Sequence, residues 1–270
     1  MPKLNVNGAT VNYAAVGSGE PVILLHCSSS SMSQWRSLWE VLEDDFQVLA
    51  PDLYDYGGTA TWSGDTSDLL KDEAEIVLAL AKRRGGKFHL VGHSYGGAVA
   101  LRLASEHQDR LFSLVLIEPM ACWLLDPGEP ADHYAEIKQV AETYRDHFAS
   151  GDLEGAVKPY VEYWNGDGAW QAMNDDFRNY VLGTAEKTHH EFAAIFDPTN
   201  YIRALESLDI PTLVIRGGAT HPPTRRITEI IVETMPRTQL TVIEGAGHMS
   251  PLTHGEQVNT AIRRHLEGCR

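Results

Sequence analysis

The residues of this chain best suited to do chemistry together are Ser94 and His248. Ser94 lies in Phe88-His-Leu-Val-Gly92-His93-Ser94-Tyr95-Gly96-Gly97-Ala98-Val99-Ala100, an apolar run that ends in a serine with a glycine two positions to either side. The pattern reads as a buried strand turning sharply into a helix. Gly92 and Gly96 remove side chains where the two backbones converge, and Gly97, Ala98 and Ala100 let the helix pack closely. The apex residue of such a turn is held in a strained conformation with its side chain pushed outward. A serine hydroxyl is a poor nucleophile at neutral pH and needs a base, which in turn needs a carboxylate to fix its tautomer. His248 is the candidate base. It follows the last apolar run on the loop Gly245-Ala246-Gly247, before a helix expected near Thr253, at the carboxyl end of the sheet where Ser94 also belongs. His189 and His190 are sequence neighbours on an expected helix, and Ala194 stands where a zinc-protease pattern would need its second histidine.

Acyl transfer through a tetrahedral intermediate also needs backbone N–H groups aimed at the developing oxyanion. Tyr95, first residue of the helix after Ser94, is the expected first donor. Ser28, in the loop Cys27-Ser28-Ser29-Ser30-Ser31, is the expected second. The same serine run can cap a helix expected over about residues 34–43.

These groups need elements to hold them. Leu4-Asn-Val6 and residues 10–16 alternate as a two-stranded opening around Asn7-Gly8. Residues 21–26, 47–52, 88–91, 113–117, 211–215 and 239–243 are apolar runs of the kind buried in a parallel sheet. A helical pattern from Thr66 to Arg84, closed by Gly85-Gly86, lies between two of them. Strands alternating with helices predict an α/β fold, a parallel sheet with helices on both faces. The alternation breaks between Pro119 and Leu208, where a helical pattern rich in aromatics (Trp164, Trp170, Phe177, Tyr180, Phe192, Phe196) predicts an inserted helical unit. Most of those rings are expected to pack and a minority to line a pocket.

The 270 residues carry a formal charge of −15, which argues against nucleic acid and anionic membranes as partners, since both select a basic face. No secretory signal and no apolar run of membrane-spanning length is read, so a cytoplasmic monomer or homodimer is expected. Three widely spaced cysteines, Cys27, Cys122 and Cys269, fit a reducing compartment. Cys27 and Cys122 fall near the expected site mouth and could make activity sensitive to thiol reagents. No cofactor is implied, because neither a phosphate-cradling loop nor a metal-ligand cluster is present.

With Leu24-Leu25-His26, Ala50-Pro51-Asp52-Leu53 before Gly57-Gly58, the Gly92-His93-Ser94-Tyr95-Gly96 elbow, residues 211–217 and Gly245-Ala246-Gly247-His248, the chain resembles the α/β-hydrolase superfamily over nearly its whole length. The resemblance implies an eight-stranded, mostly parallel sheet, with residues 1–119 and 209–270 as the core and 120–208 as a helical cap. It also implies the chain order serine, acid, histidine. Three positions depart from the family pattern. Cys27 follows His26 where glycine is usual, Asp55 replaces a glycine, and Thr220 stands where the acid after the seventh strand should be. A threonine cannot balance an imidazolium by charge. Glu118, directly after the sixth strand, is the expected replacement, since some family members, including one group of haloalkane dehalogenases, place their acid there. Asp126 or Asp197 from the insertion, or no carboxylate at all, are the alternatives. The expected activity is hydrolysis of a small, largely apolar ester or lactone through an acyl-enzyme on Ser94. Carbon–carbon bond hydrolysis and perhydrolysis use the same residues. A carbon–carbon hydrolase would add a cationic clamp drawn from Arg145, Lys158, Arg178 or Lys187. A ligand-binding protein on a hydrolase scaffold is the reading from another class.

Overall fold

The computed structural model describes residues 1–83, 85–129, 132–197 and 205–269. Arg84, expected at the end of its helix, and residues 198–204 of the insertion lie outside that range. The strands are β1 (Lys3–Val6), β2 (Ala9–Val16), β3 (Glu20–Leu25), β4 (Phe46–Pro51), β5 (Phe88–His93), β6 (Leu111–Ile117), β7 (Thr212–Gly217) and β8 (Thr238–Ile243). They form one sheet in the order β1-β2-β4-β3-β5-β6-β7-β8. β1 and β2 are an antiparallel hairpin and β2 runs antiparallel to β4, while every later pairing is parallel.

The long apolar runs follow from burial on both faces. In β3, Val22 and Leu24 join the core beneath α1 (Arg36–Leu42) and α11 (Gly255–Glu267), while Ile23 and Leu25 face the core beneath α2 (Leu69–Lys82) and α3 (Tyr95–His107). β8 departs from the expectation of a buried strand. Among the described residues it pairs with β7 alone, and only Ile243 of its six residues is buried. An edge position with one neighbour cannot cover both faces, and Leu240 is left exposed.

Between β6 and β7 the chain forms α4 (His133–Ala149), α5 (Leu153–Asn165), α6 (Ala169–Ala172), α7 (Asp175–Gly183) and α8 (Ala185–Phe196). The remaining helices are α9 (Pro222–Thr234), after β7, and the short α10 (Ser250–Thr253). The insertion is tied to the core through polar contacts as well as packing. Tyr180 donates to the Ser30 carbonyl at 2.5 Å and accepts from the Gly57 amide at 3.2 Å. Lys187 of α8 reaches Glu73 of α2 at 2.5 Å, both side chains fully buried. No helix among the described residues is long and apolar enough to cross a membrane.

Candidate active site

Three strand ends meet where Ser94, Glu118 and His248 converge. Ser94 closes β5 with φ 56° and ψ −119°, a conformation that L-residues avoid and that aims its hydroxyl away from the sheet. The elbow tolerates no side chains at its flanks. A Cβ on Gly92 would lie 2.3 Å from the Gly96 carbonyl oxygen, and one on Gly96 would lie 2.5 Å from the Leu25 carbonyl oxygen. Backbone bonds lock the corner to the next strand: the Ser94 amide donates to Ile117 at 2.9 Å, and the Met120 amide donates to Ser94 at 3.0 Å. Glu118, the first residue past β6, also has a positive φ, 42°. This left-handed kink ends the strand at the point where its side chain is needed.

The three side chains form one chain of hydrogen bonds. His248 Nε2 lies 2.9 Å from Ser94 Oγ, and His248 Nδ1 lies 2.7 Å from Glu118 Oε2. Nδ1 therefore carries the proton given to the carboxylate, which leaves Nε2 as the acceptor for the serine hydroxyl. Glu118 is fully buried, and burial alone would raise its pKa. The bonds from His248, from the Gly217 amide at 2.7 Å and from the Thr220 hydroxyl at 2.7 Å outweigh that and hold it below the ordinary glutamate range. Asp126 and Asp197 are not part of this chain: Asp126 accepts from the Gly128 amide in a surface turn, and Asp197 caps the end of α8. The Tyr95 amide opens α3 and has no intrahelical acceptor. In the facing loop the Cys27 amide is spent on Gln34 Oε1 at 3.1 Å, so Ser28 offers the next amide along.

The sequence profile of the alpha/beta hydrolase family matches residues 22–261. The chain belongs to the alpha/beta hydrolase family. It is similar to a non-heme haloperoxidase of Rhodococcus erythropolis, 25% identical over 97% of this chain and 97% of that protein. It is also similar to a pimeloyl-[acyl-carrier protein] methyl ester esterase of Aeromonas salmonicida, 23% identical over 94% of this chain and 98% of that protein. A thermophilic esterase from Thermogutta terrifontis, solved with malate bound, superposes with a TM-score of 0.79 at 24% identity, over 100% of this chain and 99% of the other.

The departures from the family pattern have local explanations in this alpha/beta hydrolase. Thr220, in the usual aspartate position, donates its hydroxyl to Glu118 Oε2. Asp55, in place of glycine, takes φ 62°, which aspartate tolerates better than most residues, and its carboxylate accepts from the Trp62 amide at 3.1 Å. Cys27 is buried beside the serine loop, where burial lifts its thiol to about 12, and burial raises Cys122 as well. Both stay protonated thiols, which argues against the expected reactivity with thiol reagents.

Several supports were not singled out from the sequence. His26 donates from Nδ1 to the Cys27 carbonyl at 2.7 Å and accepts from the Leu53 amide at 3.1 Å, which clamps the serine loop onto the end of β4. Burial lowers its pKa to about 4, so it serves as a neutral ring. His93 bonds through Nε2 to the His248 carbonyl at 3.0 Å and through Nδ1 to Gln34 at 3.2 Å. Burial and the adjacent His248 lower it to about 3. The Gly-His-Ser motif displays His93, but its contact with His248 spans 155 residues and leaves no local signal. Of the aromatics in the insertion, Trp164, Phe177 and Phe192 line the cavities at Ser94, while Trp170, Tyr180 and Phe196 do not. Trp164 lies over His248 with ring centroids 4.1 Å apart. None of Arg145, Lys158, Arg178 and Lys187 lines either cavity.

Proposed function

We propose that this alpha/beta hydrolase is a serine esterase acting on small carboxylic esters or lactones, with residues 120–208 as the cap over its site. The observation that carries the reading is the unbroken Ser94–His248–Glu118 chain at 2.9 and 2.7 Å. His248 takes the Ser94 proton as the hydroxyl oxygen attacks the ester carbonyl, and Glu118 stabilises the imidazolium that forms. The Tyr95 and Ser28 amides hold the oxyanion. Collapse of the intermediate expels the alcohol, which takes the proton from His248 and leaves an acyl group on Ser94. Water, deprotonated by His248, then attacks the acyl-enzyme and releases the acid.

Hydrogen peroxide in place of water at the last step would give a peracid, and the similarity to a haloperoxidase makes perhydrolysis the second activity to assay. A cavity lining without Lys or Arg among the described residues counts against a carbon–carbon hydrolase that holds an acidic substrate. The test is covalent labelling by a fluorophosphonate together with turnover of short p-nitrophenyl esters. Wild type should label and turn over, and folded Ser94→Ala should do neither, with a rate loss of roughly 10⁴-fold or more. A wild type that is silent in both assays points instead to a ligand-binding protein on this scaffold.

A further inference from the structure

Two cavities meet at Ser94, and their linings differ. The outer one, about 100 Å³, is bordered by His248 and by apolar side chains that include Met173, Phe177, Val181 and Leu252. The inner one, about 20 Å³, lies beneath α8 against Tyr95, Tyr160, Trp164, Phe192 and Glu191, and His248 does not border it. On the esterase reading, on which this inference rests, the leaving alcohol must sit where His248 can protonate it. That places the alcohol in the outer cavity and the acyl group in the inner one. The inner volume accommodates only about one or two water-sized groups, so the acyl chain is short.

Among the described residues of these mostly aromatic walls Glu191 is the one charged side chain. Its Oε1 accepts from the Tyr56 hydroxyl at 2.9 Å, and the Ser28 hydroxyl, which lines the same cavity, stands near enough to favour its charged form. Its Oε2 is buried with no hydrogen-bond partner among the described residues. A carboxylate oxygen withdrawn from water without a donor is costly, and a bound group that supplies one recovers that cost. Lys187 does not fill the vacancy. Its ammonium lies 3.8 Å from Oε1 and is turned toward Glu73 at 2.5 Å. The same ammonium makes the neighbourhood poor for a second cation, and Glu191 repels a substrate carboxylate. A neutral O–H donor meets neither objection.

We propose that Glu191 is a specificity residue that accepts a hydrogen bond from a hydroxyl on the acyl group, so that the preferred substrates are apolar esters of short hydroxy acids of the glycolate type. The hydroxyl occupies the inner cavity against Oε2, and the apolar alcohol lies along Met173, Phe177 and Leu252.

Benzyl glycolate and benzyl propionate have the same number of heavy atoms and differ by a hydroxyl in place of a methyl. Their kcat/KM ratio is measured at pH 8, above the value of about 7 to which burial lifts Glu191, and divided by the ratio of their hydroxide-catalysed rates. Wild type is expected to favour the glycolate by about tenfold or more after that correction, as for a hydrogen bond to a charged acceptor. Glu191→Met, folded by circular dichroism, should bring the ratio close to one. A corrected wild-type ratio near one, with propionate turned over, overturns the proposal and leaves the esterase reading standing, whether or not the variant folds. An unchanged preference in folded Glu191→Met overturns it too. If neither ester reacts and Ser94 resists the fluorophosphonate, the esterase reading itself has failed.

Discussion

Two fully buried glutamates, one joined to Ser94 through His248 and the other lining the small cavity at Ser94, are driven in opposite directions. Glu118 receives three hydrogen bonds, from His248, Gly217 and Thr220, and stays ionised below the ordinary range. Glu191 receives one well-formed bond, from Tyr56, with the Ser28 hydroxyl nearby, and its Oε2 stays unpaired among the described residues. Burial lifts it to about 7, even with Lys187 and the Ser28 and Tyr56 hydroxyls pulling the other way. Burial is common to both, so the number of donors decides the outcome. The first arrangement suits a group that must hold a charge through a reaction cycle. The second suits one with capacity left for a ligand.

The contrast can be broken most sharply from its first side. Glu118→Gln keeps the shape but presents no charge to His248, and ester turnover should fall roughly 10²- to 10⁴-fold. Near wild-type turnover would mean that another carboxylate serves the histidine. Thr220→Val removes one of the three donors and spares the carboxylate. Glu118 is then fixed by two donors instead of three, and ester turnover should fall about threefold to tenfold at pH 7 to 8, in kcat more than in KM, with Thr220→Ser restoring most of it. An unchanged kcat would show that the threonine bond contributes nothing.

The smallest effect concerns Glu191 and stability. Its folded pKa lies above its unfolded value, so the native state binds the proton more tightly than the unfolded chain does. Wild type therefore loses stability as the pH rises from about 4.5 to about 7, and Glu191→Met has no such loss. The Tm of the variant minus that of wild type should become more positive between pH 5 and pH 8. A constant difference would mean that Glu191 titrates normally in the fold.

The sequence displays the parts of this molecule that are local in the chain. A strand covered on both faces must be apolar throughout, so β3 and β5 announce themselves, and the Ser94 elbow needs its glycines within two residues. Glu118 could be reached because the end of an apolar strand is itself a location. Thr220 could not be assigned its role, since its partner is 102 residues away and its position shows only a missing acid. β8 misled because Leu240, Val242 and Ile243 make its sequence look like the apolar run of a buried strand, and nothing local says that it pairs with β7 alone among the described residues. Glu191 was the least legible. Lys187 and Glu191 stand four apart on α8, a spacing typical of a solvent-exposed helix pair. Only the packing of α8 onto α2 and the loop that carries Tyr56 turns that face inward.

The tie between Lys187 and Glu73 has a consequence for how the molecule comes apart. α8 belongs to the insertion and α2 to the sheet layer, yet each buries a charge that the other neutralises. Replacing either partner alone would leave the other ion buried without a counter-charge, which is strongly unfavourable. The Tyr180 bridges to Ser30 and Gly57 hold the same seam at its outer edge. Insertion and sheet should thus melt in a single calorimetric transition, and a sheet unit expressed without residues 120–208 should be much less stable than the full chain, because apolar surface that the insertion covers would open to water.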